Sequence, residues 1–408
     1  MKTLVHVVAA LVVLLLDWIT GASRGADPPA PRAPIIRFVA KHPWFTAAAA
    51  AAFLGISAML VVASGAVPIR ASSGHWPITA ALLDFAKVRS VKMYSLGIET
   101  PPLDDGVLVL RGATQYAVAC EPCHGSPAQG VPPVMQAMTP PPPELRGEQL
   151  TRWTPAQLFS IVKHGIKFTG MPAWPAQQRD DEIWAAVAFL RRMPQMDSAA
   201  YQRLVPGHAA QPLALAGDLQ PPRPVRDVCW RCHGADATGR DGGAFPSLAG
   251  QRAAYLDAAL RAFARRTRFS GTMTQIAARL TNAERREVST YYEQLPFRVA
   301  AEASDPAAAA RGAAIAVRGA PERGIPACVE CHGPDDVPKS PAYPVLASQH
   351  PRYLILQLEL LKQRRRGGSP RVNLMHEVVD QLTPTDIRDV AQYFGSTSAR
   401  PASSQDRR

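Results

Sequence analysis

Cys120, Cys123 and His124 stand in the order Cys-x-x-Cys-His, and the order returns at Cys229, Cys232, His233 and at Cys328, Cys331, His332. The three sites use all six cysteines of the chain. Two thiols separated by two residues, with an imidazole next in line, form the attachment signature of a c-type haem. Each thiol can add across a vinyl group of the porphyrin, and the adjacent His is carried under the iron. A lone Cys-x-x-Cys would equally suit a redox dithiol or half a zinc site. Here every pair is followed by His and then by Gly (Gly125, Gly234, Gly333), with no cysteine spare. Zinc would need two further ligands per site, arranged alike three times. The pattern therefore predicts three covalently bound haem c groups, each with its iron.

The elements that must position these sites repeat as well. After each motif comes a Pro-x-Leu: Pro143–Leu145, Pro246–Leu248 and Pro344–Leu346. A helical stretch then leads to Met171, Met273 and Met375, which lie 47, 40 and 43 residues beyond the motif His. An amphipathic helix closes each unit, at 180–190, 282–295 and 385–394, with acidic residues in the first turn where the helix dipole favours them. Trp184 and Phe189, Val288 and Tyr292, and Ile387, Val390 and Phe394 fall on its apolar side as core residues. Such similar separations imply one architecture used three times.

Length and composition bound the rest. A chain of 408 residues holds two or three ordinary domains, and each unit of about one hundred residues gains apolar surface from its haem. The formal charge is +12, yet no nucleic-acid motif is present, so a basic rim that steers an acidic redox partner or meets anionic lipid fits better. Arg261, Arg265, Arg266, Arg268 and Lys362, Arg364, Arg365, Arg366 occupy matching places in the second and third units. They form either a solvated helix face or a docking patch.

No Asp, Glu, Lys or Arg occurs between Lys41 and Arg70, and residues 44–67 are long and apolar enough to span a bilayer as a helix. Arg32, Arg37 and Lys41 precede this stretch, which places its N-terminal side in the cytoplasm and the remainder outside. Residues 1–43 contain an earlier apolar run, Leu4 to Ile19, interrupted by Asp17. It is a second helix, a signal or part of an over-extended start. The expected organisation is then the anchor at 44–67, a connector at 68–104 with a helix around 80–94, a first domain at 105–205, a Pro- and Ala-rich linker at 206–224, a second domain at 225–297, a third at 298–397, and a disordered tail at 398–408.

These residues resemble the class I cytochromes c over roughly 105–397. The segments Phe245–Gln251 and Tyr343–Gln349, each followed by Tyr-Leu at Tyr255 and Tyr353, are similar to the two halves of cytochrome c4. The first unit resembles another class I variant through His164–Pro172. The resemblance implies a mainly α fold, three tandem cytochrome c domains behind an N-terminal transmembrane helix. It implies haem attachment in the periplasm of a bacterium, with the anchor in the inner membrane. It also implies that Pro143, Pro246 and Pro344 offer their carbonyls to the Nδ1–H of the haem histidines, fixing ring and tautomer.

A neutral thioether opposite His suits electron transfer and raises the potential. Of the ten methionines, Met1 and Met59 are terminal or in the anchor, and Met93 precedes the first motif. Met135 and Met138 follow it too soon, and Met193 and Met196 come after the closing helix. That leaves His124 with Met171, His233 with Met273, and His332 with Met375 as the iron ligands. His376 is a rival to Met375, while His164 and His350 are assigned to solvated surface. Six-coordinate irons leave no catalytic residue to name. The chain reads as a non-enzymatic, membrane-anchored electron carrier between a respiratory donor, such as a quinol-oxidising complex or dehydrogenase, and a terminal oxidase or soluble cytochrome. The alternative is a cytochrome subunit of a periplasmic dehydrogenase acting on alcohol, aldehyde or gluconate.

Overall fold

The structure, a computed structural model, describes residues 43–145, 147–206, 219–333, 340–368 and 372–399. The apolar run at 4–19, most of the expected linker and the C-terminal tail lie outside the described residues. The chain divides into two compact units, Met1–Ser73 and Gly74–Arg408. Among the described residues there are helices and three isolated bridges but no β-strand.

The first unit contributes helix α1, Pro43–Ala63. It stops short of the expected Val67 because Gly65 takes a positive φ of 72° and the Ser64 hydroxyl turns back to the Val61 carbonyl. Phe53, Leu54, Ile56, Met59, Leu60 and Val62 are all exposed. Some side chains near the start of α1 fall outside the description, and among the described residues no helix is long and apolar enough to cross a membrane.

In the second unit the connector forms α2, Pro77–Tyr94, whose Val88 and Val91 pack into the core of the first repeat. That repeat comprises α3 (Gly106–Ala119), α4 (Pro155–His164), α5 (Asp180–Arg192) and α6 (Ser198–Leu204). The second has α7 (Ala253–Ala264), α8 (Gly271–Ala278) and α9 (Asn282–Gln294). The third has α10 (Pro306–Arg318), α11 (Pro351–Lys362), α12 (Val372–Gln381) and α13 (Pro384–Ser396). Side-chain caps set several of these starts. Thr154 with Gln157, Thr281 with Glu284 and Thr383 with Asp386 form reciprocal capping boxes at α4, α9 and α13.

The closing helices α5, α9 and α13 lie where the apolar periodicity places them. The opening helices α3 and α10 carry no comparable sequence signal, and each crosses its closing helix at a glycine. A Cβ at Gly112 would sit 1.9 Å from the Ala185 carbonyl, and one at Gly312 would sit 2.0 Å from that of Asp389. The arginine before each glycine then pairs across the crossing, Arg111 with Asp181 and Arg311 with Asp389. The second repeat departs from this plan. Pro221, Pro222 and Pro224 lead straight into the single turn Val225–Cys229, with no long helix among the described residues before its motif. Proline removes backbone donors and clashes with a preceding turn, so no helix continues through that sequence. Instead, Thr114 of α3 lies beside Cys232.

Candidate functional site

Each Cys-x-x-Cys-His folds as one helical turn: Glu121–His124, Trp230–His233 and Val329–His332. The first cysteine is the N-cap of each turn and the histidine its last residue. The His124 and His332 backbone bonds to Cys120 and Cys328 measure 2.9 Å each. At the first two motifs the following glycine takes a positive φ, 66° at Gly125 and 86° at Gly234, which reverses the chain. A Cβ at Gly125 would lie 2.6 Å from the Gly130 backbone.

The chain then returns along the imidazole. The Nδ1 of His124 is 2.9 Å from the Pro143 carbonyl, that of His233 is 3.1 Å from Pro246, and that of His332 is 2.9 Å from Pro344. A carbonyl can only accept, so Nδ1 carries the hydrogen and Nε2 keeps its lone pair. Burial pushes all three rings below the ordinary histidine value, against the opposing effect of the proline carbonyl. They are therefore neutral at neutral pH, the form that can bind a metal.

Four of the cysteines weigh against one of the alternatives. Burial pushes the Cys120 thiol up to about 12 and those of Cys229, Cys232 and Cys328 up to about 11. A redox dithiol needs a lowered value to present thiolate. Zinc lacks ligands too, since among the described residues no group of three or more His, Cys, Asp or Glu could hold a metal ion.

The three methionines are half-buried but held in different ways. Met171 sits in a loop folded back on the end of α4. Its carbonyl accepts from Ile166 at 3.2 Å, and Gly165, with φ 65°, makes the reversal. Met273 is in the first turn of α8, where its N–H donates to the capping Ser270 hydroxyl at 3.1 Å. Met375 is within α12, against the core that holds Val379 and Ile387. One spacing thus serves two backbone solutions, because Gly170-Met171-Pro172 breaks a helix while the other two sequences continue one. Met138, set aside by its sequence position, packs its methyl against Gly170. The buried Nε2 of His376 has no hydrogen-bond partner among the described residues. His164 is exposed at the end of α4. His350 is not on open surface: its Nε2 lies 2.8 Å from the Thr238 carbonyl of the second repeat.

The basic clusters are mostly absorbed by the fold. Arg261 pairs with Asp257, Arg364 with Asp380, and Arg365 with Asp180 of the first repeat. Lys362 donates to the carbonyls of Asp380 and Leu382. Arg268 is buried and Arg366 half-buried where their loops cross, with Phe269 N–H donating to the Arg366 carbonyl at 2.8 Å. Arg261, Lys362 and Arg364 are exposed but tied to neighbours, whereas Arg265 and Arg266 are exposed and in no ion pair among the described residues.

Arg268 and Arg366 test whether these residues fit a haem. The Arg268 guanidinium donates to the hydroxyls of Tyr255 and Tyr353 at 3.2 and 3.3 Å, and Arg366 to Gln357 and Tyr255 at 2.8 and 3.5 Å. Neither meets a carboxylate among the described residues. Arg366 also contributes to the low value of His332, which places its charge near that ring. Two guanidiniums withdrawn from water without an anion are costly. The carboxylates of a haem periphery would supply the missing charge.

Comparison with known proteins bears on the same residues. Residues 108–190 match the family described as cytochrome c oxidase, cbb3-type, subunit III. A thiosulfate dehydrogenase electron acceptor of Thiomonas intermedia is 37% identical over 182 residues, which is 44% of this chain and 83% of that one. Its namesake in Stutzerimonas stutzeri is 35% identical over 217 residues, 53% of this chain and 94% of that one. The chain belongs to the class I c-type cytochromes. Cytochrome c4 of Thiocapsa roseopersicina is a further relative, 34% identical over 173 residues, 42% of this chain and 88% of its own. The cytochrome thus carries covalent haem c and transfers electrons. Haem would supply a reversible one-electron couple, and His124, His233 and His332, each oriented through Nδ1 by a proline carbonyl, would hold it with the motif cysteines.

Proposed function

We propose that this cytochrome is a three-haem electron carrier, with one haem in each of three tandem class I domains. His124, His233 and His332 are the proximal ligands, and Met171, Met273 and Met375 the distal ones. The observation that carries this reading is the threefold repetition of an imidazole, buried at His233 and half-buried at His124 and His332, whose Nδ1 is committed to a proline carbonyl, which leaves Nε2 for iron. A methionine at a comparable separation completes each site. Met138 beside Gly170 and His376 beside Met375 are the competing donors that ligand substitution must exclude.

The carrier works in the periplasm and is held to the inner membrane by α1. Its uncharged sequence between Lys41 and Arg70, which runs past the end of α1, and the exposed apolar side chains of α1 support an anchor. The names of its relatives supply a donor: a thiosulfate dehydrogenase, which makes the dehydrogenase-subunit reading more specific than an alcohol or gluconate enzyme. The likeness of residues 108–190 to an oxidase subunit supports delivery through the first domain to a terminal oxidase. Electrons would then enter at the second or third domain.

The test is a pyridine haemochrome count on the purified full chain, followed by stopped-flow reduction with a thiosulfate dehydrogenase and thiosulfate. Three haems per chain and reduction dependent on both dehydrogenase and thiosulfate are expected. A count of two overturns the three-haem reading. Full haem loading without reduction overturns the donor but leaves the carrier intact.

A further inference from the structure

The peptide groups that receive the haem histidines of the second and third repeats are themselves held from the opposite repeat. The Pro246 carbonyl faces His233, and the N–H of the same peptide unit, on Ser247, donates to Gln349 Oε1 at 2.9 Å. The Pro344 carbonyl faces His332, and the N–H of that unit, on Val345, donates to Gln251 Oε1 at 2.8 Å. Each glutamine amide closes a second bond on the same residue. Gln349 Nε2 donates to the Ser247 carbonyl at 2.9 Å, and Gln251 Nε2 to that of Val345 at 3.0 Å. Gln251, Gln349, Ser247 and Val345 are all buried. The two clasps are equivalent under exchange of the repeats, since each glutamine lies three residues beyond the Leu of its own Pro-x-Leu. The first repeat has Glu148 at that position, and it is exposed.

We propose that Gln251 and Gln349 are positioning residues that tune the second and third haem sites crosswise, each setting the donor strength of the axial histidine in the other repeat. This rests on reading both motifs as haem sites. A peptide group is conjugated from N–H to carbonyl. Donation from its N–H enlarges its dipole and makes its oxygen a stronger acceptor, and hydrogen bonds in a chain strengthen one another. A stronger acceptor at Nδ1 makes the imidazole more basic at Nε2. A more basic axial ring favours the oxidised iron. Gln349 therefore lowers the potential at His233, and Gln251 lowers it at His332.

The experiment is a haem-resolved redox titration of the full chain by NMR, for wild type, Gln349→Met and Gln251→Met. The second and third haems are assigned with Met273→Ala and Met375→Ala. The haem count is taken on every sample, and exchange of each axial Nδ1–H is followed in the reduced state. Gln349→Met is expected to raise the potential of the second haem by up to roughly tenfold in its reduction constant, which is about 59 mV for one electron. It should also speed exchange of the His233 Nδ1–H, move the third haem less and leave the first unmoved. Gln251→Met should do the same at His332. Shifts confined to the haem of the substituted repeat, or equal shifts at both, would overturn the crosswise assignment. Where Gln349→Met does not fold, Gln349→Glu keeps an acceptor toward Ser247 and should keep the His233 proton protected, and loss of protection there overturns the proposal. A wild-type count showing the second or third motif without haem overturns the haem reading itself, and the proposal with it.

Discussion

Glu182 closes the junction between the first and second repeats, and among the described residues no carboxylate has the equivalent place between the second and third. Buried at 3% exposure, Glu182 accepts from Trp174 Nε1 at 3.0 Å, from the Ser270 hydroxyl and the Gly271 N–H at 2.6 Å each, and pairs with Arg179 at 3.2 Å. Arg179 in turn donates to the Phe269 carbonyl of the second repeat. At the other junction, neutral glutamine amides clasp backbone in a symmetric pair, and Arg268 and Arg366 remain without an anion. The first junction is therefore complete in charge as the polypeptide stands. The second is left positive, as it must be if anionic cofactor groups finish it. The second and third repeats clasp one another symmetrically through Gln251 and Gln349, whereas the first repeat is joined to the second by an ionic lock of its own.

Breaking the lock should have the largest effect. Glu182→Ala leaves Arg179 short of one counter-charge and three buried donors without an acceptor, a loss of about 3–5 kcal/mol for a buried pair cut on one side. Calorimetry should show the first repeat melting apart from, and below, the other two. A single unshifted transition would mean that the junction contributes little. Gln349→Ala, which removes neutral bonds of about 1 kcal/mol each, should cost less and leave the first repeat unaffected.

The next test concerns the sign of an effect. If Arg366 were merely a half-buried cation without an anion, Arg366→Met would be neutral or stabilising, as replacing unmatched charge withdrawn from water often is. With a haem carboxylate as its partner, the same change should lower the melting temperature and the potential of the third haem. Thermal denaturation and redox titration of the loaded protein distinguish the two outcomes.

A smaller effect should appear in acid. Burial alone would raise the Asp181 carboxyl, but the hydrogen bonds and charges of Arg179 and Arg111 outweigh it and hold the group well below the usual carboxylate range. A depressed value in the folded state contributes stability that is fully present above the unfolded value, near pH 4, and is lost as pH falls through the folded value. The first repeat should thus loosen below about pH 4, and Asp181→Asn should remove that part of the acid dependence. Calorimetry between neutral and acid pH measures it.

How much of this the sequence reveals follows from the range over which each interaction acts. The haem motifs and the closing helices are local, and their residues announce them through spacing and periodicity. The opening helices α3 and α10 do not, because their Ala- and Gly-rich faces show little contrast. The arginine-glycine pairs at Arg111-Gly112 and Arg311-Gly312 were the available signal. The junctions are hidden for a different reason. Gln349 and Ser247 are 102 residues apart, and Arg365 and Asp180 are 185 apart. Nothing in a run of arginines distinguishes one that faces water from one that crosses into another repeat.

That difference reshapes the docking question, where the smallest effect is expected. Reversing Arg364 or Arg365 would break the pairs with Asp380 and Asp180, so a changed transfer rate there would report a disturbed junction. Arg265 and Arg266 are exposed at the end of α7 and remain the fair test. Their charge would speed encounter with an acidic partner by long-range attraction, which salt weakens. Arg265→Glu with Arg266→Glu should lower the bimolecular electron-transfer rate a few-fold at low ionic strength. The gap should close toward physiological salt, where the Debye length is about 8 Å. Haem content, potentials and melting should stay as in the wild type, since neither side chain reaches a motif. An unchanged rate at low salt with a thiosulfate dehydrogenase and with an oxidase would assign the pair to solvated surface. Exchange with partners would then run through the first repeat or through an apolar contact, insensitive to salt.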